Sequence, residues 1–309
     1  MIDWLTCKVR VASLPPFGRR LETDEEGCIL VERDLPALLE SHDTRVFVVP
    51  VPVADGYGLL ISGNPTKYFQ GHNVWGLDSW VVVTDFLSSV CERLGVGRWH
   101  IVGMSRLDIT HSYVLPTELD VQAALQALSN TTAERWGRPV VKAGTVYYGH
   151  PKRARLVVYS KAPEFRRHNR ASAFSAVELP PILRLELRLG RNWFDENRWY
   201  DLASDEFRLS RWREMVDRIR ISELESLDIS AMPRRCQKVY GLWVAGVDLA
   251  QIYSRSSLYR YAAELREFGI DIWAPYEPSK VVHLRRVLRS RPLTSADVLA
   301  CGLPLHRVA

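Results

Sequence analysis

The sequence predicts an α+β protein: an antiparallel sheet flanked by helices, followed by a mainly α-helical C-terminal region. Three observations carry this. Strand-like and helix-like segments are interspersed irregularly through the first two-thirds of the chain, without the regular βαβ order of a doubly wound fold. Two strand-like segments, 140–148 and 153–160, flank a Gly149-His150-Pro151-Lys152 turn and so predict a hairpin. From about Asp201 the apolar spacing changes from the period of a strand to that of a helix. A chain of 309 residues is long enough for two domains, each with its own core. The expected division is a first domain over 1–198 and a helical domain over 199–309.

Taken in order, segments 5–12, 28–32, 45–52 and 57–62 are rich in Val, Leu and Ile and read as strands. Segment 78–94 has helical spacing, with Asp78 as its N-cap. Segment 99–115 is one long strand or a bent pair, and 119–128 is a helix capped by Thr117 or Asp120. Segment 183–189 alternates strictly, with leucine at every odd position facing the core and Arg184, Glu186 and Arg188 on the other face. Beyond it, 204–219, 232–244, 249–253, 256–268 and 278–288 read as helices. The run from Asp248 to Tyr261 resembles a helix-turn-helix, its second helix bearing Arg255, Tyr259 and Arg260.

Composition excludes several classes. A hydrophobic content of 47% with 25% charged residues is that of a soluble globular protein. No stretch approaches eighteen consecutive apolar residues and the N-terminus lacks a signal peptide's pattern, so no membrane role is expected. The five cysteines are odd in number, widely spaced and without a C-x-x-C, which points away from disulfides and zinc and towards a reducing compartment. The net charge of +5 is concentrated. Residues 152–170 hold seven Lys and Arg against Glu164 alone, and the last thirty residues hold six against Asp297. Two basic regions suit either a solvated surface or a polyanion such as DNA.

Tyr159 lies in Arg155-Leu156-Val157-Val158-Tyr159-Ser160-Lys161, read as a strand that places Tyr159 and Lys161 on one face. A phenol beside an ammonium in a basic field suits attack on a phosphodiester. Asp108, in Ser105-Arg106-Leu107-Asp108, is an acid within a strand. It is either an ion-pair partner of an arginine or, with Glu186, a ligand of Mg²⁺ or Mn²⁺. His72 follows Gln70-Gly71 and has no second histidine at metal spacing, which leaves ligand, DNA contact and structural roles open. No P-loop, Rossmann fingerprint or Gly-x-Ser-x-Gly is present.

These strings, taken in series, resemble the replication initiators of filamentous bacteriophages, the gene II family. The resemblance rests on Met1-Ile2-Asp3, Gln70-Gly71-His72-Asn73-Val74-Trp75-Gly76, Ser105-Arg106-Leu107-Asp108, Thr145-Val146-Tyr147-Tyr148, Val158-Tyr159-Ser160-Lys161 and Leu185-Glu186-Leu187-Arg188. It implies a site-specific endonuclease that nicks and rejoins the phage plus strand at the origin through a 5′-phosphotyrosine, in the host bacterial cytoplasm, with the host helicase and polymerase as partners. It implies Tyr159 as the nucleophile and Lys161 as its assistant, and it strengthens Asp108 and Glu186 as metal candidates. Tyr147 and Tyr148 stand as further tyrosines for rejoining. The expected DNA contacts are Lys67, His72, Arg106, Lys152, Arg153 and Arg155, with Arg255 and Arg260 in the helical region. Oligomers are possible. The competing reading is a non-catalytic origin-binding or repressor protein that uses the helix-turn-helix.

Overall fold

A strand with leucine on one face and Arg-Glu-Arg on the other can be central only if both faces are covered, and it is. In chain order the computed structural model runs β1 (Ile2–Val11), β2 (Arg19–Thr23), β3 (Ile29–Asp34), β4 (Ala37–Ser41), β5 (Thr44–Val51), β6 (Tyr57–Gly63), α1 (Pro65–Gln70), α2 (Trp80–Arg93), β7 (Trp99–Val114) and α3 (Glu118–Asn130). It continues with β8 (Val140–Lys142), β9 (Thr145–Gly149), β10 (Ala154–Ser160), α4 (Lys161–His168), β11 (Ile182–Leu189), α5 (Arg191–Glu196) and α6 (Asp205–Asp217). Three further helices are α7 (Arg234–Val244), α8 (Arg255–Glu267) and α9 (Ser295–Ala300). The structure describes residues 1–23, 26, 28–41, 44–169, 172–219, 232–268, 270–273 and 292–306. The predicted helix 278–288 and the arginines from Arg285 to Arg291 lie outside them, as do Arg170 and Arg307.

Nine strands form one sheet in the order β4–β5–β6–β1–β7–β11–β10–β9–β8, and every pairing is antiparallel. β2 and β3 form a separate hairpin. The fold is α+β, as the sequence predicts. Alternation decides the faces. Leu183, Leu185, Leu187 and Leu189 of β11 join Leu156 and Val158 of β10, Leu107 and Ile109 of β7, and Leu5, Cys7 and Val9 of β1 in one core. Three helices cover it: α2 through Phe86, Leu87 and Val90, α3 through Val121, Leu125 and Leu128, and α6 through Trp212 and Met215. Each fully buried leucine contributes about 1.5–3 kcal/mol.

Local chemistry explains where the elements differ from expectation. Segment 140–148 is two strands, because Ala143 and Gly144 both take positive φ (50° and 74°) and fold it into a second hairpin. Ser79, not Asp78, caps α2, accepting the Val81 N–H at 3.3 Å. Asp78 is engaged by the buried Arg208 of α6 at 3.0 Å. Thr117 and Asp120 form a reciprocal capping box on α3. β10 stops at Ser160, and Lys161 is the first residue of α4 rather than a strand residue. β2, β4, α1, α4 and α5 lie outside the segments read from sequence.

Residues 232–272 build a second core around α7, a short 3₁₀ turn (Leu249–Gln251) and α8, with Cys236, Val239, Leu258, Ala262 and Leu265 at its centre. This is the helix-turn-helix-like segment. Residues 292–306 then return to the sheet. Leu293 donates its N–H to Ser112 O at 2.8 Å, and Leu293, Val298 and Leu303 close an apolar cluster with Val74, Phe165 and Ile182 on the charged face of β11.

This strap should stabilise the sheet domain although it comes from the far end of the chain. A protein ending before Pro292 loses three buried apolar side chains at about 1.5–3 kcal/mol each. Its sheet-domain transition, followed by near-ultraviolet circular dichroism during heating, should fall by several degrees; an unchanged transition would show that the strap adds no stability.

Candidate active site

The second face of the central strands is a row of charges in register. Arg188 of β11 pairs with Asp108 of β7 and Arg155 of β10, Glu186 with Thr110 and Val157, and Arg184 with Ser112 and Tyr159. These side chains therefore point the same way. Of these, Asp108, Tyr159, Glu186 and Arg188, together with residues of α1, α4 and the 71–76 loop, line a cleft of about 280 Å³. Asp3, Asn64 and Asn73 also reach it. A bulge at Asp3, where β1 shifts register against β7, lets both Asp3 and Trp4 face the cleft.

Tyr159 donates its hydroxyl to Glu186 Oε1 at 2.5 Å. Arg188 holds the other oxygen, Oε2, from Nη2 at 2.6 Å and from Nε at 3.1 Å. The same guanidinium lies 3.6 Å from Asp108 Oδ2. Arg106 grips Asp108 with two bonds, 2.9 and 2.6 Å. Across the cleft, Lys161 Nζ donates to Asn73 Oδ1 at 2.8 Å and to Glu164 Oε2 at 2.5 Å. Asn73 Nδ2 and Asn64 Nδ2 both donate to Asp3 Oδ1. Arg184, fully buried, donates to the Asn73 and Val74 carbonyls and to Ser112 Oγ, and so fixes the loop that carries Asn73.

Burial and charge set the protonation states. Burial, with Glu186 adding to it, raises the Tyr159 hydroxyl well above its ordinary value, so the phenol is a donor at rest. Burial raises the Asp108 carboxyl to about 6 in spite of Arg106 and Arg188. Burial and then Arg184 lower the Lys161 ammonium. Burial opposes ionisation of Glu164, but Lys161 outweighs it and holds that carboxyl below the usual range. Burial likewise opposes the charge on Arg188, and Glu186 and Asp108 reverse the effect and raise it.

The cleft gathers Tyr159, Lys161, Asp108, Glu186, Arg106, Lys67 and His72 from the residues expected to act. His72 is buried. Its Nε2 lies 2.7 Å from Pro304 O, so that nitrogen carries the hydrogen, and Nδ1 accepts the Val74 N–H at 3.3 Å. It thus ties the loop to the C-terminal strap. Arg155 shares the Tyr159 face further along β10, with its guanidinium 5.1 Å from the Tyr147 ring centroid. Tyr148 is on the opposite, core face and donates to Leu128 O. Lys152 and Arg153 sit at the hairpin turn away from Tyr159, where Arg153 pairs with Glu196. Arg255 and Arg260 lie on α8, stacked over Tyr259 and Tyr261. Sequence reasoning missed Asp3, Asn64 and Glu164. Asp3 gave no signal of an acid inside a strand, because the strand read from the sequence begins at Leu5 while β1 begins at Ile2.

No three His, Cys, Asp or Glu side chains converge in metal-holding geometry among the described residues. Asp108 and Glu186 nevertheless offer two hard carboxylates bridged by one cationic group, Arg188. Mg²⁺ is commonly held by one or two carboxylates completed by waters and phosphate oxygens, and here Arg106, Arg188 and Tyr159 engage all four oxygens of the pair, so an ion would have to displace them.

Between its ordinary value of 3.8 and about 6, folded Asp108 holds a proton that the unfolded chain has released. Stability therefore falls as pH rises through that window, by up to about 3 kcal/mol. Asp108→Asn cannot ionise and should flatten this fall, read from urea midpoints at about pH 4 and about pH 7. Arg184→Met leaves the Asn73 and Val74 carbonyls without their donor and should cost about 2–4 kcal/mol. Amide exchange should accelerate at residues 72–76 first; uniform acceleration across the sheet would argue against a local lock.

Two known protein families match the chain in succession. Residues 1–214 match the family described as the phage replication-associated protein (gene II protein), N-terminal, and residues 225–298 match its C-terminal counterpart. The replication-associated gene II protein of Enterobacteria phage I2-2 is 28% identical over an alignment of 338 positions that covers 94% of each chain. No helix among the described residues is long and apolar enough to cross a membrane. With both family regions matched in order along one chain, this protein belongs to the family of phage replication-associated gene II proteins.

Proposed function

We propose that the protein initiates rolling-circle replication of phage DNA by nicking and rejoining the plus strand at the origin. The observation that carries this reading is the Tyr159 hydroxyl, bonded to Glu186 in a cleft walled by Arg106, Lys161 and Arg188. A tyrosine serving only as structure has no need of so many cations and carboxylates around it.

Tyr159 Oη attacks the scissile phosphorus, and its proton passes to Glu186 Oε1 as the O–P bond forms. The bond from phosphorus to the 3′ oxygen breaks, and that oxygen takes up a proton. The 5′ end is then held as a phosphotyrosine, and the free 3′-OH is the primer that a host polymerase and helicase would use. Attack by a 3′-OH on the phosphotyrosine reverses these steps and rejoins the strand, with no nucleotide cofactor. Lys161, fixed by Asn73 and Glu164, presents its charge to the phosphorane oxygens. Were the arginines to release them, Asp108 and Glu186 would be the carboxylates to hold Mg²⁺ or Mn²⁺, which would polarise the scissile phosphate. Arg255 and Arg260 on α8, with the helical region's own core, suit origin binding. A non-catalytic origin-binding protein is the second reading, and that separate helical core is what favours it. The reaction belongs in the host cytoplasm, where supercoiled phage DNA is found.

Incubation with supercoiled phage replicative-form DNA and Mg²⁺ should give open circles bearing protein on the 5′ end. Tyr159→Phe should abolish the adduct and leave origin binding nearly intact. Glu186→Gln keeps an acceptor for the hydroxyl but not a base, and should slow adduct formation by about 10²- to 10⁴-fold. An adduct formed by the Phe variant would exclude Tyr159 and move attention to Tyr147. Binding without any nicking by the wild type would favour the second reading.

A further inference from the structure

Trp4 stands beside the cleft, on the charged face of β1, and nothing in the mechanism uses it. It is half-buried, while its neighbour Leu5 is fully buried in the core on the other face. Its indole N–H donates to Ser62 Oγ at 3.3 Å, and Ser62 Oγ is itself 2.7 Å from Thr6 Oγ1, which limits rotation of the ring. The Arg106 guanidinium lies over the ring, 5.2 Å from its centroid. That guanidinium cannot turn freely either, since both of its bonds to Asp108 hold its plane. Its side chain is nevertheless 38% exposed. Beyond Trp4 the same face of β1 presents Lys8 and Arg10, both exposed. Their partners across the sheet, Leu60 and Gly103 for Lys8 and Gly58 and His100 for Arg10, include no acid.

We propose that Trp4 and Arg106 form a stacking platform for one base of single-stranded DNA near the phosphate attacked by Tyr159, with Lys8 and Arg10 following the strand's phosphates outward. A fixed aromatic ring with a flat cation suits an unpaired base, which offers a π-face whatever its identity. The distance is suitable. Trp4 is three strands from Tyr159 by sheet order and four residues along in register, which separates their Cα atoms by about 20 Å. The stacked base is therefore not the one at the cut but one a short way along the strand. On this view Asp108 also acts as a positioning residue, through Arg106. The inference deepens the nicking reading and rests on it for the identity of the strand.

The test is an abasic walk. A fluorescent single strand from the phage origin region is made with one base removed at each position in turn, and binding is followed by anisotropy. With the intact strand, Trp4→Ala should bind about 5- to 150-fold more weakly, and Trp4→Phe, which keeps a ring, within a few-fold of wild type. At one abasic position the wild type should lose as much, and there Trp4→Ala should cause no further loss. The platform is overturned if Trp4→Ala binds like wild type, if Phe loses as much as Ala, or if Trp4→Ala weakens every abasic strand alike. The adduct assay separates the two readings. Coupling without an adduct retains the platform and removes nicking; an adduct without coupling does the reverse.

Discussion

The structure turns on the burial of charge along β11. This strand is central, its leucine face is packed under helices, and its other face, carrying Arg184 and Glu186, is almost as completely removed from water. An unpaired charge in such a place costs several kcal/mol, so each must meet an opposite charge or a set of carbonyl dipoles. Arg184 meets the Asn73 and Val74 carbonyls, Glu186 meets Arg188, and Arg188 reaches Asp108 of the adjoining strand. The cleft is the outcome of this pairing. Tyr159 is positioned because Glu186, already fixed by Arg188, has one oxygen left for its hydroxyl.

The pairing also explains why distant parts of the chain meet here. The 71–76 loop has little regular structure of its own, yet it supplies Asn73, which orients Lys161. It is held from below by Arg184 and from outside by the strap, through His72 to Pro304 O and Gln70 to the His306 N–H. Phe69 stacks on the His306 ring at 4.2 Å. Residues at the two ends of the sequence therefore determine together how rigidly Lys161 faces Tyr159.

Much of this was legible in the sequence because period-two patterns survive folding. The alternation over 183–189 set the two faces of β11, and the acid within 105–110 marked a charge that needed a partner. Its second cation, on the adjoining strand, was not legible, since pairing across strands depends on register. Asp108 is gripped by Arg106, two residues away on its own strand, while Arg188 of the adjoining strand is the more distant neighbour. Lys161 was read as a strand residue because Tyr-Ser-Lys continues the pattern. The chain turns into α4 at that point, so the lysine reaches the cleft from the helix and not from the strand face of Tyr159. The role of His72 was hidden because its partner is 232 residues further along the chain.

The charge balance has a consequence for the proposed reaction. At rest three cations of the cleft have carboxylate partners: Arg106 has Asp108, Arg188 has Glu186, and Lys161 has Glu164. Burial, with Glu186 adding to it, holds the Tyr159 hydroxyl well above its ordinary value, so it stays a hydrogen-bond donor. A phosphodiester entering the cleft adds negative charge and competes with those carboxylates for the same cations. In the proposed reaction, the Arg188 guanidinium drawn towards the phosphate would stabilise the oxygens on which charge develops. For that reaction, DNA would therefore have to displace carboxylates from Arg106, Arg188 and Lys161 before those cations could act on its phosphate.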